Sequence, residues 1–353
     1  MTPHPRVRFE ALRQFITQAM AQLGLPADDA ATVGRLMAEA ELQGSDGHGV
    51  IRLLPYARRI RAGGLNLKPN IAVVQERPGM ALLDGDNGMG HLVMQRAAHM
   101  AIEKAKVCGI GWVGSRLSNH AGPASLYARM PMAHNMIGLY FAVGNANHLP
   151  PWGGLDMLLS TNPIAVAVPA GQEPPVVLDM ATTVAAYGKV KAKAQKGEQM
   201  PEGWMIDRTG APLLDPKRAD EGFLLPIGGY KGYGLSLIVG LLAGTLNGAA
   251  MGKAVIDFNK DEHSTTDTGQ AIMAIDLSAW GDVDAFKARV DTLVRELRGS
   301  ERMPGVDRIW LPGEQSHAKR ESNLASGIAL PPALLAQLDA FALDAGIASL
   351  PRE

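Results

Sequence analysis

Cysteine is almost absent from this 353-residue chain. The single residue, Cys108, excludes an internal disulfide and any Cys-x-x-Cys metal site. Neither a disulfide-stapled secreted scaffold nor a zinc ribbon fits, and a reducing, cytoplasmic setting is expected. Long apolar runs are missing too. The longest, 235–246, is broken by Ser236 and Gly240 and falls short of the ~18 residues that argue for a membrane span. Residues 1–13 carry Arg6, Arg8, Glu10 and Arg13 without the apolar run of a leader peptide. Net charge is close to nil: 34 Lys and Arg against 35 Asp and Glu give −1, which argues against a nucleic-acid binder. There is no His-Glu-x-x-His or paired-acid motif, and the histidines do not share helical spacing, so no metal is expected. Internal repeats and low-complexity tracts are also lacking. Finally, no Asp or Glu occurs between Glu103 and Asp156.

What remains is a globular composition, 46% hydrophobic and 20% charged. At roughly 100–200 residues per domain, the length suggests two domains, or one large domain with a subordinate lobe. Glycine and proline are in excess: 40 Gly and 23 Pro make about 18% of the chain, against a usual ~12%. That excess calls for many tight turns, or for places where backbone comes close to something.

Periodicity divides the chain near residue 70. Leu12, Ile16, Met20 and Leu23 share a helical face, Pro26 with Asp28 and Asp29 reads as a helix start, and Val33, Leu36, Met37, Ala40 and Leu42 continue until Gly44. A further helix with Ile51, Leu54, Ala57 and Ile60 ends at Gly63-Gly64. Beyond Pro69 the pattern turns to short strands at 71–75, 80–83, 110–113, 136–143, 163–169, 176–178, 270–275 and 308–310. Helices are expected over 91–108, 182–196, 232–246 (glycine-rich and buried), 284–297 and 331–341. Residues 1–70 then form a helical lobe, joined by the C-terminal segment 325–353, and 71–324 a mixed-sheet domain.

Several constellations could carry chemistry. A literal Gly-x-Gly-x-x-Gly stands at Gly109, Gly111 and Gly114, but it follows a helix where a dinucleotide fingerprint needs a strand, and no acid follows about 20 residues on. A helix C-cap glycine entering a buried strand fits better. The acid-free stretch holds Lys104, Lys106, Arg116, Arg129, His120, His134 and His148 without a countercharge of its own, which suits an anionic ligand or simply a buried apolar segment. In Ser45-Asp46-Gly47-His48-Gly49-Val50-Ile51-Arg52 the glycines leave the His48 imidazole room to reach a ligand, and Arg52 projects on the same side one turn on. A guanidinium that grips a carboxylate beside an imidazole that protonates the neighbouring carbonyl suits a 2-oxo acid. Taken alone, His48 would be an ordinary loop histidine. Ser118-Asn119-His120-Ala121-Gly122-Pro123 could hold a pyrophosphate or bring His120 to the reacting carbon, or be an Asn cap with a surface histidine. Lys231 is a lone cation among Gly228, Gly229, Gly232 and Gly234, without Walker spacing, and Asp179 sits at a strand end.

Together, Gly47-His48-Gly49 with Arg52 and Tyr56, Ser118-Asn119-His120, Pro151-Trp152-Gly153-Gly154, Ser160-Thr161-Asn162-Pro163, Leu178-Asp179-Met180-Ala181-Thr182, Pro201-Glu202-Gly203-Trp204 and the Gly228 to Gly234 loop resemble the malate/L-lactate dehydrogenase family. The resemblance runs from about residue 10 to Leu311-Pro312-Gly313-Glu314. That family also holds ureidoglycolate and sulfolactate dehydrogenases, diketogulonate reductase and the piperideine- and pyrroline-2-carboxylate reductases. The resemblance implies an α/β (α+β) fold that is not a Rossmann fold: a helical lobe beside a largely antiparallel sheet domain that binds the dinucleotide, in a homodimer. It implies NAD- or NADP-dependent interconversion of a 2-hydroxy acid and a 2-oxo acid. By carry-over, His48 donates the proton, His120 lies at the catalytic centre, and Arg52, Tyr56 and Thr161 bind substrate. His120, Ala121, Gly122, Pro123, Ala124, Leu178, Asp179, Met180, Lys231, Pro312, Gly313 and Glu314 contact the cofactor.

The chain departs from the family at Gly47, where Ser is usual before the histidine, and at Lys189, where the imine reductases place the Asp of a Ser-His-Asp relay. Ala121 replaces a usual Phe and Ser160 a usual Gly, which implies a roomier or more polar substrate pocket. The alternatives are a reductase of cyclic or N-alkyl imino acids, disfavoured by Gly47 and Lys189, and a catalytically dead nucleotide sensor, disfavoured by His48, Arg52, His120 and Thr161. The basic run Lys189, Lys191, Lys193 and Lys196 fits either a 2′-phosphate of NADP or a solvated helix face.

Overall fold

The apolar stripe of Phe9–Gln22 buries Leu12, Phe15, Ile16, Ala19 and Met20, the spacing that lets one helical face enter a core. The computed structural model describes residues 4–353. Ala27–Leu42 starts after Pro26, with Asp28 and Asp29 favourably placed in its first turn. The two helices cross closely at Gly34, where an added Cβ would come 2.2 Å from Thr17 Oγ1. Leu53–Arg61 contributes Leu53, Tyr56, Ala57 and Ile60 to the same core, and Pro332–Ala345 adds Leu334, Leu335, Leu338, Phe341 and Ala342. Arg6–Val7 pairs antiparallel with Ile328–Ala329, so the two ends of the chain meet in this helical layer.

The second layer is a seven-stranded sheet in the spatial order Ala72–Arg77, Met80–Asp84, Ile110–Ser118, Thr268–Asp276, Met136–Ala142, Ile164–Val168, Val176–Met180. Met80–Asp84 and Ile110–Ser118 run parallel, linked through the helix Gly90–Cys108; every other neighbouring pair is antiparallel. The expected mixed, largely antiparallel architecture is therefore what the chain adopts.

The Gly-x-Gly-x-x-Gly run has a packing role. Gly109 caps the helix with φ 79°, an added Cβ on Gly111 would lie 2.0 Å from Ala101 O, and one on Gly114 would lie 2.0 Å from Asn247 Oδ1. These glycines let a helix and a loop press on the strand.

Some sequence expectations need correction. Residues 308–310 form no strand: Arg308 stacks on the Trp310 ring, 4.0 Å from its centroid, and reaches Glu314. The helix expected from residue 182 is Tyr187–Lys196, because Thr182 donates both N–H and Oγ1 to Thr161 O and is held outside the helix. Tyr230–Ala243 is helical but not buried all round, since Ile238 and Leu241 are exposed. Ile51 is exposed, and Val50 takes the core position. Glu314–Ser326 forms a helix without an apolar stripe to announce it, burying Glu314 and Asn323 instead. No helix of the described residues is long and apolar enough to cross a membrane.

Gly111→Ala drives a methyl into the backbone of Gly90–Cys108 and should destabilise the protein by about 1–3 kcal/mol. Gly188→Ala, where an added Cβ meets nothing within 4 Å, should be neutral or stabilising by roughly 0.5–1 kcal/mol. Thermal melting of the two variants checks the contrast.

Candidate active site

The helix Ala27–Leu42 ends, Gly44 turns the chain at φ 75°, and two short 3-10 turns, Asp46–His48 and Val50–Arg52, lead into Leu53–Arg61. Arg52 Nε donates to Gly47 O at 2.8 Å, which folds the guanidinium back across the loop that carries His48. An added Cβ at Gly47 would meet nothing within 4 Å, so this side of the loop is open. Tyr56 lies one turn beyond Arg52, fully packed in the helical core.

His120 arrives from the sheet, just past the end of Ile110–Ser118. Its neighbour Asn119 anchors the turn: the buried side chain donates to Asn87 Oδ1 and Gly88 O, each at 3.0 Å, and accepts from Thr266 Oγ1 at 2.9 Å. His120 Nδ1 accepts from the Gly122 N–H at 3.4 Å and lies 2.5 Å from Tyr56 OH; its Nε2 lies 3.2 Å from His48 Nδ1. A backbone N–H can only donate, so neutral His120 carries its proton on Nε2 and passes that bond to His48 Nδ1. The remaining His48 proton is then on Nε2. The chain Tyr56→His120→His48 thus has one direction.

Phe258 covers the chain, with its ring centroid 5.8 Å from Tyr56 and 5.9 Å from His120. The Phe258 N–H donates to Asn145 O at 2.9 Å, and the fully buried Arg59 lies 5.1 Å from the Phe258 centroid. Beneath, His91 meets Tyr56 edge-on at 5.7 Å, with neither ring nitrogen hydrogen-bonded. Phe258 and His91 were not among the residues singled out by sequence; Phe258 lies in a loop without periodicity, and His91 reads as one more position of a helix.

Burial, assisted by the Arg52 charge, pushes the His48 imidazole down to about 4. Burial and the charges of Arg52, His48 and His91 hold His120 well below its ordinary value, and burial drives His91 down to about 3. The Tyr56 phenol is held protonated, its pKa raised by burial. The cluster is therefore neutral at pH 7, a set of hydrogen-bond donors and acceptors with the Arg52 cation beside it.

Thr161 makes no hydrogen bond to the histidines. Its carbonyl holds Thr182, and its hydroxyl lies near Gly144, where an added Cβ would come within 3.1 Å. The next residue, Asn145, supports Phe258, which places Thr161 behind the same wall. Ser160 is buried and donates to Ala146 O, so it faces the interior and does not make the pocket more polar.

Most of the expected cofactor residues form one connected line. The Ser125 N–H, one residue past Ala124, donates to Asp179 Oδ2 at 2.9 Å, and burial raises the Asp179 pKa. Val177, beside Leu178, donates its N–H to Pro312 O at 3.0 Å, and Gly313, at φ 83°, lies so close that an added Cβ would be 2.8 Å from Val177. Glu314 is occupied internally: it accepts from Arg298 at 2.7 Å, Arg308 at 3.1 Å and the Leu311 N–H at 3.1 Å. Burial alone would raise its pKa, but these partners outweigh it and hold the carboxyl below its ordinary value. Ala121 is buried, its carbonyl accepting from Tyr127 OH. Lys231 is exposed, with no side-chain hydrogen bond among the described residues; Trp152 packs on the adjacent Gly229, where an added Cβ would come 3.3 Å from the ring.

The acid-free stretch does find countercharge in space. Lys104 pairs with Glu76 and Arg116 with Asp84, both from outside it, and Lys106 pairs with Glu103 at its edge. Lys189, Lys191 and Lys196 lie exposed on Tyr187–Lys196, and Lys193 pairs with Glu198. Among the described residues, no three His, Cys, Asp or Glu side chains gather as around a metal ion.

The neutral histidines make stability depend on pH. The folded-state values lie below the ordinary 6.5, so the stability they confer is complete above about pH 6.5 and is lost as pH falls toward 4 and then 3. Melting temperature should drop steadily over that interval. His91→Phe, which removes an imidazole without partners, should flatten the drop; an unchanged slope would contradict this account.

A family model described as malate/L-lactate dehydrogenase matches residues 7–339. The malate dehydrogenase of Pyrococcus abyssi is 38% identical over 354 residues, covering 98% of this chain and 96% of its own. The L-sulfolactate dehydrogenase of Methanothermobacter thermautotrophicus is 35% identical over 342 residues, covering 97% and 98%. The solved structure of malate dehydrogenase from Pyrococcus horikoshii OT3 superimposes with a TM-score of 0.90 at 35% identity, covering 99% of this chain and 98% of that one. With the fold and the motifs in agreement over nearly the whole length, the chain belongs to the malate/L-lactate dehydrogenase family.

Proposed function

We propose that this protein is an NAD(P)-dependent 2-hydroxy acid dehydrogenase, interconverting a 2-hydroxy acid and a 2-oxo acid. The observation that carries the reading is the directed chain Tyr56→His120→His48, ending in an imidazole N–H on the loop that the Arg52 guanidinium folds back across. The family membership supports the same chemistry.

The chain's own residues divide the work. Arg52 binds the substrate carboxylate through the guanidinium edge not used by Gly47 O, which brings the 2-oxo group to His48. His48 donates the Nε2 proton to the carbonyl oxygen. The proton is made good from solvent, so that His120 and Tyr56 stay neutral and hold the His48 ring in place. Phe258 covers this pair. A bound carboxylate also cancels part of the Arg52 charge that depresses His48, making the imidazole a better proton carrier once substrate is in place.

The line of residues 120–124, 178–180 and 312–314 is our reading of the dinucleotide site, with the unpartnered ammonium of Lys231 as a cation for phosphate. When bound, nicotinamide supplies or accepts the hydride at the substrate carbon. We further read the protein as a cytoplasmic homodimer. In support, Trp152, Tyr230, Ile238 and Leu246 are each more than half exposed on or beside the apolar helix Tyr230–Ala243, a face suited to a second copy, and Cys108 is an exposed free thiol.

Oxidation of NADH and NADPH should be followed in turn with pyruvate, oxaloacetate and larger 2-oxo acids; no turnover with any of them would sink the reading, and turnover of cyclic imino acids instead would favour the imine reductase alternative. His48→Asn should lower kcat by about 10²–10⁴-fold with dinucleotide affinity kept, whereas Arg52→Ala should chiefly raise KM. In the oxidation direction kcat/KM should hold level to about pH 5 and fall below it, as His48 protonates near its free-enzyme value of about 4. Ile238→Glu should convert a dimer to monomers by light scattering; a monomeric wild type would refute the dimer.

A further inference from the structure

The segment bearing His48 and Arg52 has mainly local bonds of its own: His48 N–H to Ser45 O at 2.8 Å and Arg52 N–H to Gly49 O at 2.9 Å. One bond ties it to a neighbouring helix. The Val50 N–H donates to Glu41 Oε1 at 2.7 Å, a buried contact across nine residues. Gly49 lies flat on the same carboxyl: an added Cβ would stand 2.3–2.5 Å from Glu41 Oε1, Cδ and Cγ. The support is itself pinned, because Asn323 Nδ2 donates to Leu42 O at 3.1 Å and to Glu41 O at 3.4 Å, and the Gly44 N–H donates to Glu41 O at 3.0 Å.

Glu41 is 3% exposed and makes no ion pair among the described residues. Burial, then the charge of Asp46, pushes its carboxyl up to about 8, against the opposing pull of the Val50 amide. A hydrocarbon side chain would avoid burying the carboxyl but would leave the buried Val50 N–H without its acceptor.

We propose that Glu41 is a positioning residue for the site: by holding the Val50 amide it sets the start of the turn Val50–Arg52, and so the directions of His48 and Arg52. The inference rests on the reading of those two side chains as the substrate-facing pair. Gly49 is the complementary feature, the residue that lets the loop lie on the carboxyl.

The test compares Glu41→Gln, which keeps the acceptor, with Glu41→Leu, which keeps the bulk and loses it. Glu41→Gln should stay within about 3-fold of wild type in kcat/KM, as expected where a neutral hydrogen bond replaces another. Glu41→Leu should lose about 10–100-fold, the scale of a misplacement near 1 Å, with KM raised through Arg52 and kcat lowered through His48. Dinucleotide affinity, read by fluorescence titration, should be unchanged in both. Equal activity in all three proteins, equal losses in the Gln and Leu variants, or dinucleotide binding that falls in step with turnover would each overturn the proposal. Should Glu41→Leu fail to fold, Val50→Pro deletes the donor from the other side, at a helix position that accepts proline, and should show the same loss; full activity would overturn the proposal. A wild type that reduces no 2-oxo acid would count against the reaction, not against Glu41. In that event the imidazole NMR resonances of His48 and His120 decide: they should move in Glu41→Leu and stay in Glu41→Gln, and unmoved resonances in Glu41→Leu would overturn it.

Discussion

The hydrogen bond between Tyr56 and His120 joins the helical layer to the sheet. Tyr56 belongs to the core of Phe9–Gln22, Ala27–Leu42 and Pro332–Ala345, while His120 extends from a strand of the seven-stranded sheet. Its direction is dictated by the Gly122 amide, which can only donate to His120 Nδ1. From that one restriction follow the tautomer of His120, the acceptor state of His48 Nδ1 and the proton on His48 Nε2. The polarity of the site is thus fixed by a backbone N–H in a turn, and Asn119 and Phe258 serve to keep that turn and its partner in register.

The electrostatics follow from what surrounds the chain of donors. Three histidines are brought together where burial disfavours their charged forms, and no carboxylate pairs with any of them. Three of the four Lys and Arg side chains of the acid-free stretch are paired with acids at its edge and elsewhere in the sequence, while Arg129 makes no ion pair among the described residues. The Arg52 guanidinium, tied to a carbonyl and near an amide oxygen, lies beside the histidines. A concentrated positive charge next to neutral imidazoles is well matched to a small anion carrying a carbonyl or hydroxyl group.

Glycine does two kinds of work that composition cannot separate. At Gly34, Gly111 and Gly114 it lets backbone and side chains of other elements approach closely enough to form the cores. At Gly47 and Gly49 it shapes one face of a loop for openness and the other for contact with Glu41. The same residue type thus serves packing, access and support.

The sequence alone determined the helical face of residues 9–42, the strand pattern beyond residue 70, the rejection of the Gly-x-Gly-x-x-Gly run and the family, because each rests on local periodicity or on ordered motifs. It also singled out His48, Arg52 and His120, whose residue types announce their chemistry, and Tyr56 through the family resemblance. It did not show that Thr268–Asp276 sits between Ile110–Ser118 and Met136–Ala142, that Glu314–Ser326 is a helix, or that Glu314 is occupied by arginines. Nor did it pick out Phe258, His91 and Glu41, which are an aromatic in a loop and two ordinary helix positions. Their roles come from distance, burial and the direction of hydrogen bonds between segments far apart in sequence, and only the folded chain brings those segments together.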